Sequence, residues 1–253
     1  MKRRFIRCLA ALLALFCLCP GGIAEEEKPR LTDAQLYSFY DGALFVGDSI
    51  TRQFQVFIIE RRREDGGCLA GARFQTAQSY FLYTASRKLL MPETNNLHFQ
   101  GRDLPLWEII ELMKPSKVLI LLGVNDYIGE KIEKGVGYAE RIIDLAAQAS
   151  PDTQIIFESL TPVAPAFCRK KDYRPLWDQY NQALEAMCRR RGTGYVDIAT
   201  ALKDEDGYLR ADYSSDGEYH LNRQGLQVWL DQLLNYAQAQ YDLGLWAPEE
   251  GSP

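Results

Sequence analysis

The chain has 253 residues, of which 47% are hydrophobic and 25% charged, and its formal net charge is −5. These values are typical of a globular protein with one well-buried domain, and they exclude a disordered or fibrous chain. Because the chain is acidic, it has no electrostatic attraction for nucleic acid or anionic lipid, and neither is an expected partner.

Residues 1–24 have the order of a secretory signal peptide. Four basic residues come first, and an apolar stretch from Cys8 to Cys19 follows, which is short for a membrane span. We therefore expect a secreted or extracytoplasmic protein with no stable membrane insertion after cleavage. Removing four basic and no acidic residues lowers the net charge from −5 to −9. The remaining chain is divided into an N-terminal extension (25–40), one domain (41–243) and a flexible tail (244–253).

Five apolar segments separated by helical patterns predict the strands of that domain. A three-layer α/β/α sandwich with a five-stranded parallel sheet is the expected fold. The segment Met91–Pro105 is polar and interrupts the alternation, so we expect a short hairpin or excursion there, beside the site. The predicted strands are Ala43–Val46, Arg73–Ala77, Lys117–Leu122, Gln154–Leu160 and Tyr195–Ile198.

Ser49 lies in Gly47-Asp48-Ser49-Ile50, directly after the first predicted strand and before a helical pattern. Strand carboxyl ends and helix amino ends converge there, which is where open α/β sheets bind ligands. Asp48 is predicted to cap the helix. A serine hydroxyl is a weak nucleophile, so it needs a base, a partner that orients the base, and donors for the developing oxyanion.

Beyond residue 24 the chain has two histidines, His98 and His220. His220 follows the last predicted strand and precedes the last helix, whose predicted cap is Asn222, so its loop can reach the sheet edge of Ser49. We predict His220 as the base and leave His98 as a substrate contact or a surface residue.

Asp216 lies four residues before His220, where a carboxylate can hold the imidazole in one tautomer. Ser215-Asp216-Gly217 is also typical of a simple tight turn, and both interpretations can hold together. Asp212 and Glu218 are the alternative carboxylates. Asn125, in Gly123-Val124-Asn125-Asp126 after the third strand, can donate to an oxyanion or serve a strand-to-loop turn.

Together these three clusters resemble the SGNH (GDSL-type) hydrolase family over nearly the whole chain after residue 24. The resemblance implies a flavodoxin-like strand order 2-1-3-4-5 and no metal or organic cofactor. It also implies Ser49 as nucleophile and oxyanion donor through its own N–H, Asn125 as a second donor, and His220 with Asp216 as base and partner.

Two features depart from the family pattern. Three residues rather than two separate Asp216 from His220, so their loop must bulge by one residue. The family's second block supplies a glycine N–H after strand 2, whereas 76–80 contains no glycine, and Gln78 is the expected donor there.

The predicted function is an exported serine esterase that hydrolyses short-chain acyl esters through an acyl-enzyme. Its substrates would be O-acetyl groups on glycans or small lipid esters. Two alternatives stay open: an O-acyltransferase that uses the same residues, and a non-catalytic carbohydrate-binding or assembly protein with a degraded site. A nucleotide or flavin binder is disfavoured because Asp48 would repel a phosphate. The disulfide state of Cys68, Cys168 and Cys188 is left open.

Overall fold

The computed structural model describes residues 28–90, 95–126 and 131–249. The predicted signal peptide (1–24) lies outside the described residues. So do the first four residues of the predicted excursion (91–94) and the last four of the predicted tail (250–253).

The sheet has five parallel strands in the order β2-β1-β5-β6-β7. In terms of the predicted strands this is 2-1-3-4-5, so the predicted fold and strand order are confirmed. The central strands are buried along their length, as expected for a sheet covered on both faces. The strands are β1 (Leu44–Gly47), β2 (Arg73–Thr76), β5 (Lys117–Leu121), β6 (Gln154–Glu158) and β7 (Gly194–Val196).

The fourth predicted strand, Gln154–Leu160, ends in the structure at Glu158. Leu160 is buried, but its N–H donates to the side chain of Asn181 rather than to a neighbouring strand. The apolar sequence pattern extends to Leu160 because that residue is buried, although the strand itself ends at Glu158.

The helices flank the sheet. Within the described residues, α1 and α2 pack against α8, and α5 packs against α3, α4 and α6. The stripes Leu176–Cys188 and Leu226–Ala237 predicted helices, and they lie in α6 and α8. The helices are α1 (Asp33–Ser38), α2 (Ser49–Glu64), α3 (Leu82–Ala85), α4 (Leu106–Met113), α5 (Ile132–Ala149), α6 (Arg174–Arg191), α7 (Ala199–Leu202) and α8 (Arg223–Asp242).

A buried aromatic contact joins α2 to α8. The Trp229 ring stacks on Phe54 with 4.3 Å between centroids, and Phe45 of β1 packs against Phe54. Both rings on the two helices are fully buried. Because α2 begins at Ser49 and α8 follows His220, this contact fixes the relative position of the two predicted reacting groups.

The excursion forms the predicted hairpin, with β3 (Leu97–Phe99) antiparallel to β4 (Arg102–Leu104). Gln100 and Gly101 both have positive φ, as a two-residue hairpin turn requires. His98 lies opposite Asp103, and its Nδ1 is 3.1 Å from the Asp103 carboxylate.

The segments around the domain also pack onto it. Leu36 of α1, which lies in the predicted N-terminal extension, is fully buried, and Trp246 packs edge-on against Phe39 at 5.1 Å. Among the described residues no helix is both long and apolar enough to cross a membrane.

Two runs of three arginines, Arg61–Arg63 at the end of α2 and Arg189–Arg191 at the end of α6, contain residues engaged in local contacts. In α6, Arg189, Arg190 and Arg191 pair with Glu185, Glu140 and Asp144 respectively. Arg62 of the first run donates to three backbone carbonyls of the loop after α2. The three cysteines of the described chain are free thiols.

Candidate active site

Ser49 is the first residue of α2, two residues beyond the end of β1. Asp48 caps the helix as predicted, because its Oδ1 accepts the N–H of Ile50 at 2.9 Å. A side chain at Gly47 would lie 1.9 Å from the Thr51 hydroxyl and 2.8 Å from the Leu121 carbonyl. Only glycine fits there, so this tight strand-to-helix turn presents the Ser49 hydroxyl at the carboxyl edge of the sheet.

The structure brings His220 to Ser49. Its Nε2 is 3.0 Å from the Ser49 Oγ, although the two residues are 171 positions apart. The backbone after His220 is held against α2 because the Leu221 N–H donates to the Gln53 side chain at 3.2 Å. Asn222 then caps α8 as predicted, accepting the N–H groups of Gln224 and Gly225.

Asp216 lies against the other ring nitrogen of His220, with its Oδ2 2.6 Å from Nδ1. Its Oδ1 accepts the backbone N–H groups of the three residues from Glu218 to His220. Gly217 has φ +74°, which lets the chain turn between the two partners. The loop thus accommodates the third intervening residue while the carboxylate still reaches the imidazole.

The alternative carboxylates do not take this position. Asp212 forms a bidentate pair with Arg210, and the carboxylate that contacts the Nδ1 of His220 belongs to Asp216 rather than to Glu218. His98 pairs with Asp103 on the hairpin, so His220 is the imidazole that lies next to Ser49.

The charge on Asp216 determines the tautomer of His220. Partial burial raises the pKa of Asp216, but hydrogen bonds from the Glu218 N–H and the His220 ring outweigh it, and the net pKa lies below its ordinary value. An ionised carboxylate only accepts hydrogen bonds, so the Nδ1 of His220 must carry the proton. The Nε2 is then left with a lone pair facing the Ser49 hydroxyl, which is the arrangement a general base needs.

Asn125 lies on a short 3₁₀ turn (Val124–Asp126) after β5 and contacts Asp48, the residue before Ser49. Its Nδ2 donates to the Oδ2 of Asp48 at 2.6 Å. Asp48 is almost completely buried, and burial raises its pKa to about 6. A side-chain amide has two N–H bonds, so this contact orients Asn125 and leaves a second donor.

Asp126 is a site residue that the sequence analysis missed. Its carboxylate accepts the N–H groups of Leu82 and Tyr83 at 2.7 and 2.9 Å, and so joins the turn after β5 to the beginning of α3. Burial raises its pKa to about 6. Its place directly after Asn125 at a strand end was the available signal, but its partners lie more than forty positions away.

The loop after β2 (76–80), which corresponds to the family's second block, lies next to the turn of Gly47, Asp48 and Ser49. The Ala77 N–H donates to the carbonyl of Gly47, and the backbone carbonyl of Gln78 accepts the Asn95 side chain. Ser79 has φ +52°, the left-handed region that usually favours glycine. The loop therefore adopts a glycine-like backbone one residue after Gln78 without a glycine in the sequence.

Within the ranges that the structure describes, no group of three or more His, Cys, Asp or Glu side chains could hold a metal ion. The polar groups around Ser49 are instead arranged in series, from carboxylate to imidazole to hydroxyl. Such a series can remove a proton from a hydroxyl and return it to a leaving group.

The sequence model of the GDSL-like lipase/acylhydrolase family matches residues 45–228. No curated protein matches the chain by sequence. Several solved structures share its fold. A carbohydrate esterase family 3 protein from Talaromyces cellulolyticus is 17% identical with a TM-score of 0.56, covering 80% of this chain and 98% of its own.

Two further solved structures are similar to a comparable extent. An acetylxylan esterase from Geobacillus stearothermophilus is 14% identical with a TM-score of 0.56, covering 77% of this chain and 93% of its own. The periplasmic domain of a lipopolysaccharide acetyltransferase from Salmonella ser. Paratyphi A is 16% identical with a TM-score of 0.55, covering 78% and 83%. At these identities the likeness establishes the fold.

Proposed function

The chain belongs to the GDSL-like lipase/acylhydrolase family and hydrolyses esters, and we propose that it does so as an exported serine esterase with Ser49, His220 and Asp216 as its triad. The observation that supports this most directly is the unbroken series of contacts from Asp216 through His220 to Ser49, at 2.6 and 3.0 Å.

In the first step, the Nε2 of His220 takes the proton from Ser49 as the Oγ attacks the ester carbonyl carbon. The carbonyl π electrons move to its oxygen and form an oxyanion. When the tetrahedral intermediate collapses, the bond to the alcohol oxygen breaks, and His220 gives that oxygen its proton. Asp216 stabilises the imidazolium that exists between these two proton transfers.

Three donors are available for the oxyanion in this proposal: the Ser49 N–H, the Gln78 N–H and the second N–H bond of Asn125. The buried Asp48 carboxylate orients the Asn125 amide in advance, so this donor does not have to reorganise during the reaction. In the second step water attacks the acyl-enzyme, with His220 first accepting its proton and then returning one to Ser49.

We propose short acyl groups, such as O-acetyl groups on glycans, as the part that is transferred. The names of two similar structures, a carbohydrate esterase and an acetylxylan esterase, support this substrate class. The proposed export supports it as well, because acetylated polymers are accessible outside the cytoplasm.

The test is covalent labelling by a fluorophosphonate, combined with turnover of a small acetate ester. The wild-type protein should be labelled and active, and Ser49→Ala should lose both properties. His220→Ala should retain the fold but lose turnover by about 10³-fold or more, because it removes the base that contacts the Ser49 hydroxyl.

Ser215→Ala is the matched control. Ser215 is exposed and directly precedes Asp216 in the same loop, but its side chain has no part in the proposed proton transfers. It should keep labelling and turnover within about twofold of wild type. Labelling that persists in Ser49→Ala, or normal turnover in His220→Ala, would contradict the proposed triad.

A further inference from the structure

A groove of about 370 Å³ runs from Ser49 along the outside of α2. Its volume is within the range of small-molecule sites. Along α2 it is lined at a helical spacing of three and four residues, so one face of the helix forms the wall. At about 1.5 Å per residue, this wall extends roughly 16 Å from Ser49. Its residues are Arg52, Gln53, Val56, Phe57 and Glu60.

The opposite side of the groove is formed by the segment directly after His220, namely Leu221, Arg223 and Leu226. Leu221 and Leu226 are nearly buried and form an apolar floor together with Phe57, whereas the Val56 side chain is 50% exposed. The groove is therefore apolar at its base and open to solvent.

An ion-pair cluster marks the end of the groove away from Ser49. The Arg223 guanidinium donates to Glu60 and to Glu64, each at 2.9 Å, and so crosses from α8 to α2. It also lies over the Phe57 ring at 5.6 Å. The groove is consequently a bounded subsite that begins at Ser49 and ends at this cluster.

We propose that this groove binds the alcohol half of the ester and that this alcohol is a sugar, an inference that rests on the proposed esterase function. The general acid must reach the leaving oxygen, so the alcohol lies on the side of His220. The wall after His220 belongs to the groove, whereas the oxyanion donor Asn125 comes from β5.

The lining of the groove matches the chemistry of a pyranose. The C–H face of a sugar ring packs on an apolar floor, and its hydroxyls bond to planar polar groups around it. The floor here is Phe57, Leu221 and Leu226. The rim carries the guanidinium of Arg52, the amide of Gln53 and the carboxylate of Glu60.

The test blocks the groove with a bulky side chain and compares esters that differ either in the alcohol or in the acyl group. Val56→Trp should lower kcat/KM for a monoacetylated disaccharide by about tenfold or more, mainly through KM, because the indole occupies the sugar subsite. Ethyl acetate and ethyl hexanoate should stay within about twofold of wild type, since neither has an alcohol long enough to enter the groove.

Leu112→Trp is the matched control, because Leu112 is also 50% exposed but lies on α4, outside the groove. It should leave all three esters unchanged. If Val56→Trp lowered kcat/KM only for ethyl hexanoate, the acyl chain would lie in the groove. If it lowered kcat/KM for none of the esters, the groove would not be a substrate subsite. Either result overturns the inference.

Octyl acetate separates a sugar from an aliphatic alcohol. If Val56→Trp impairs octyl acetate but not the acetylated disaccharide, the sugar assignment is wrong. A wild-type protein that cleaves none of these esters would instead contradict the proposed function itself, and the two failures are therefore distinguishable.

Discussion

Asp216 uses both carboxylate oxygens, one toward the His220 ring and one toward three backbone N–H groups of its own loop. An asparagine could keep the backbone contacts with its carbonyl oxygen, but it would present an N–H₂ group to the Nδ1 of His220. The imidazole would then adopt the other tautomer and place an N–H toward Ser49. A base in that tautomer cannot accept the serine proton.

We therefore predict that Asp216→Asn lowers kcat by about 10²–10⁴-fold while the protein stays folded. The measurement is turnover of a small acetate ester, with a thermal melt to establish that the variant is folded.

Asp212→Asn is the control for this prediction, because Asp212 lies in the same loop but pairs with Arg210. It should retain turnover within about twofold. If Asp212→Asn were the inactive variant and Asp216→Asn the active one, Asp212 would be the partner of His220 in solution.

Local patterns predict single site residues well when the partner is close in sequence. The capping roles of Asp48 and Asn222 follow from their position before a helical pattern, and the structure confirms both. The bond from Asn125 to Asp48 and those from Leu82 and Tyr83 to Asp126 join distant segments. No local pattern encodes them, because they depend on how neighbouring strands bring their ends together.

At the scale of elements, apolar runs and helical stripes were sufficient to predict the five strands, and the resemblance to the SGNH family implied their order. What they could not predict is an ionisable carboxyl group inside the core. Glu158, the last residue of β6, is almost fully buried, and its Oε1 accepts the indole N–H of Trp229 from α8 at 2.7 Å. Its Oε2 is also buried, and no partner is found for it among the described residues.

Burial raises the pKa of Glu158 from 4.5 to about 8, and only the Trp229 hydrogen bond opposes this. The folded state therefore holds a proton on Glu158 that the unfolded state releases at a lower pH. The corresponding stability is fully present below about pH 4.5 and is lost as the pH rises through about 8.

We predict that Glu158→Gln removes this dependence, since its amide keeps an acceptor for Trp229 and does not ionise. The free energy of unfolding of wild type should fall relative to that of Glu158→Gln between about pH 5 and about pH 9, measured by denaturant unfolding. The difference should amount to a few kcal/mol.

Glu185→Gln serves as the control, because Glu185 is a half-exposed residue of α6 paired with Arg189. Its stability should follow that of wild type across the same pH range. Parallel curves for wild type and Glu158→Gln would mean that Glu158 is ionised in the folded protein at neutral pH.

At the scale of the whole molecule, the described chain from Lys28 to Glu249 already contains the sheet, its flanking helices and the series from Asp216 to Ser49. The N-terminal side of this body is tied down near its first residues, because the Leu31 N–H donates to Gln238 of α8 and Leu36 is fully buried. The start of the described chain is therefore held to the body by contacts of residues 31 and 36.

We predict that the chain is exported and cut near residue 24. When the full-length chain is produced in a bacterium, the extracytoplasmic fraction should contain a protein whose intact mass and N-terminal sequence correspond to loss of about 24 residues. A chain that starts at Glu25 should stay in the cytoplasm with the same melting temperature as the exported form, because the two then have the same sequence. Replacing the four basic residues before Cys8 with glutamate should block export. Recovery of the uncut full-length chain in the cytoplasm alone would contradict export, and with it the argument that acetylated polymers outside the cytoplasm are the substrates.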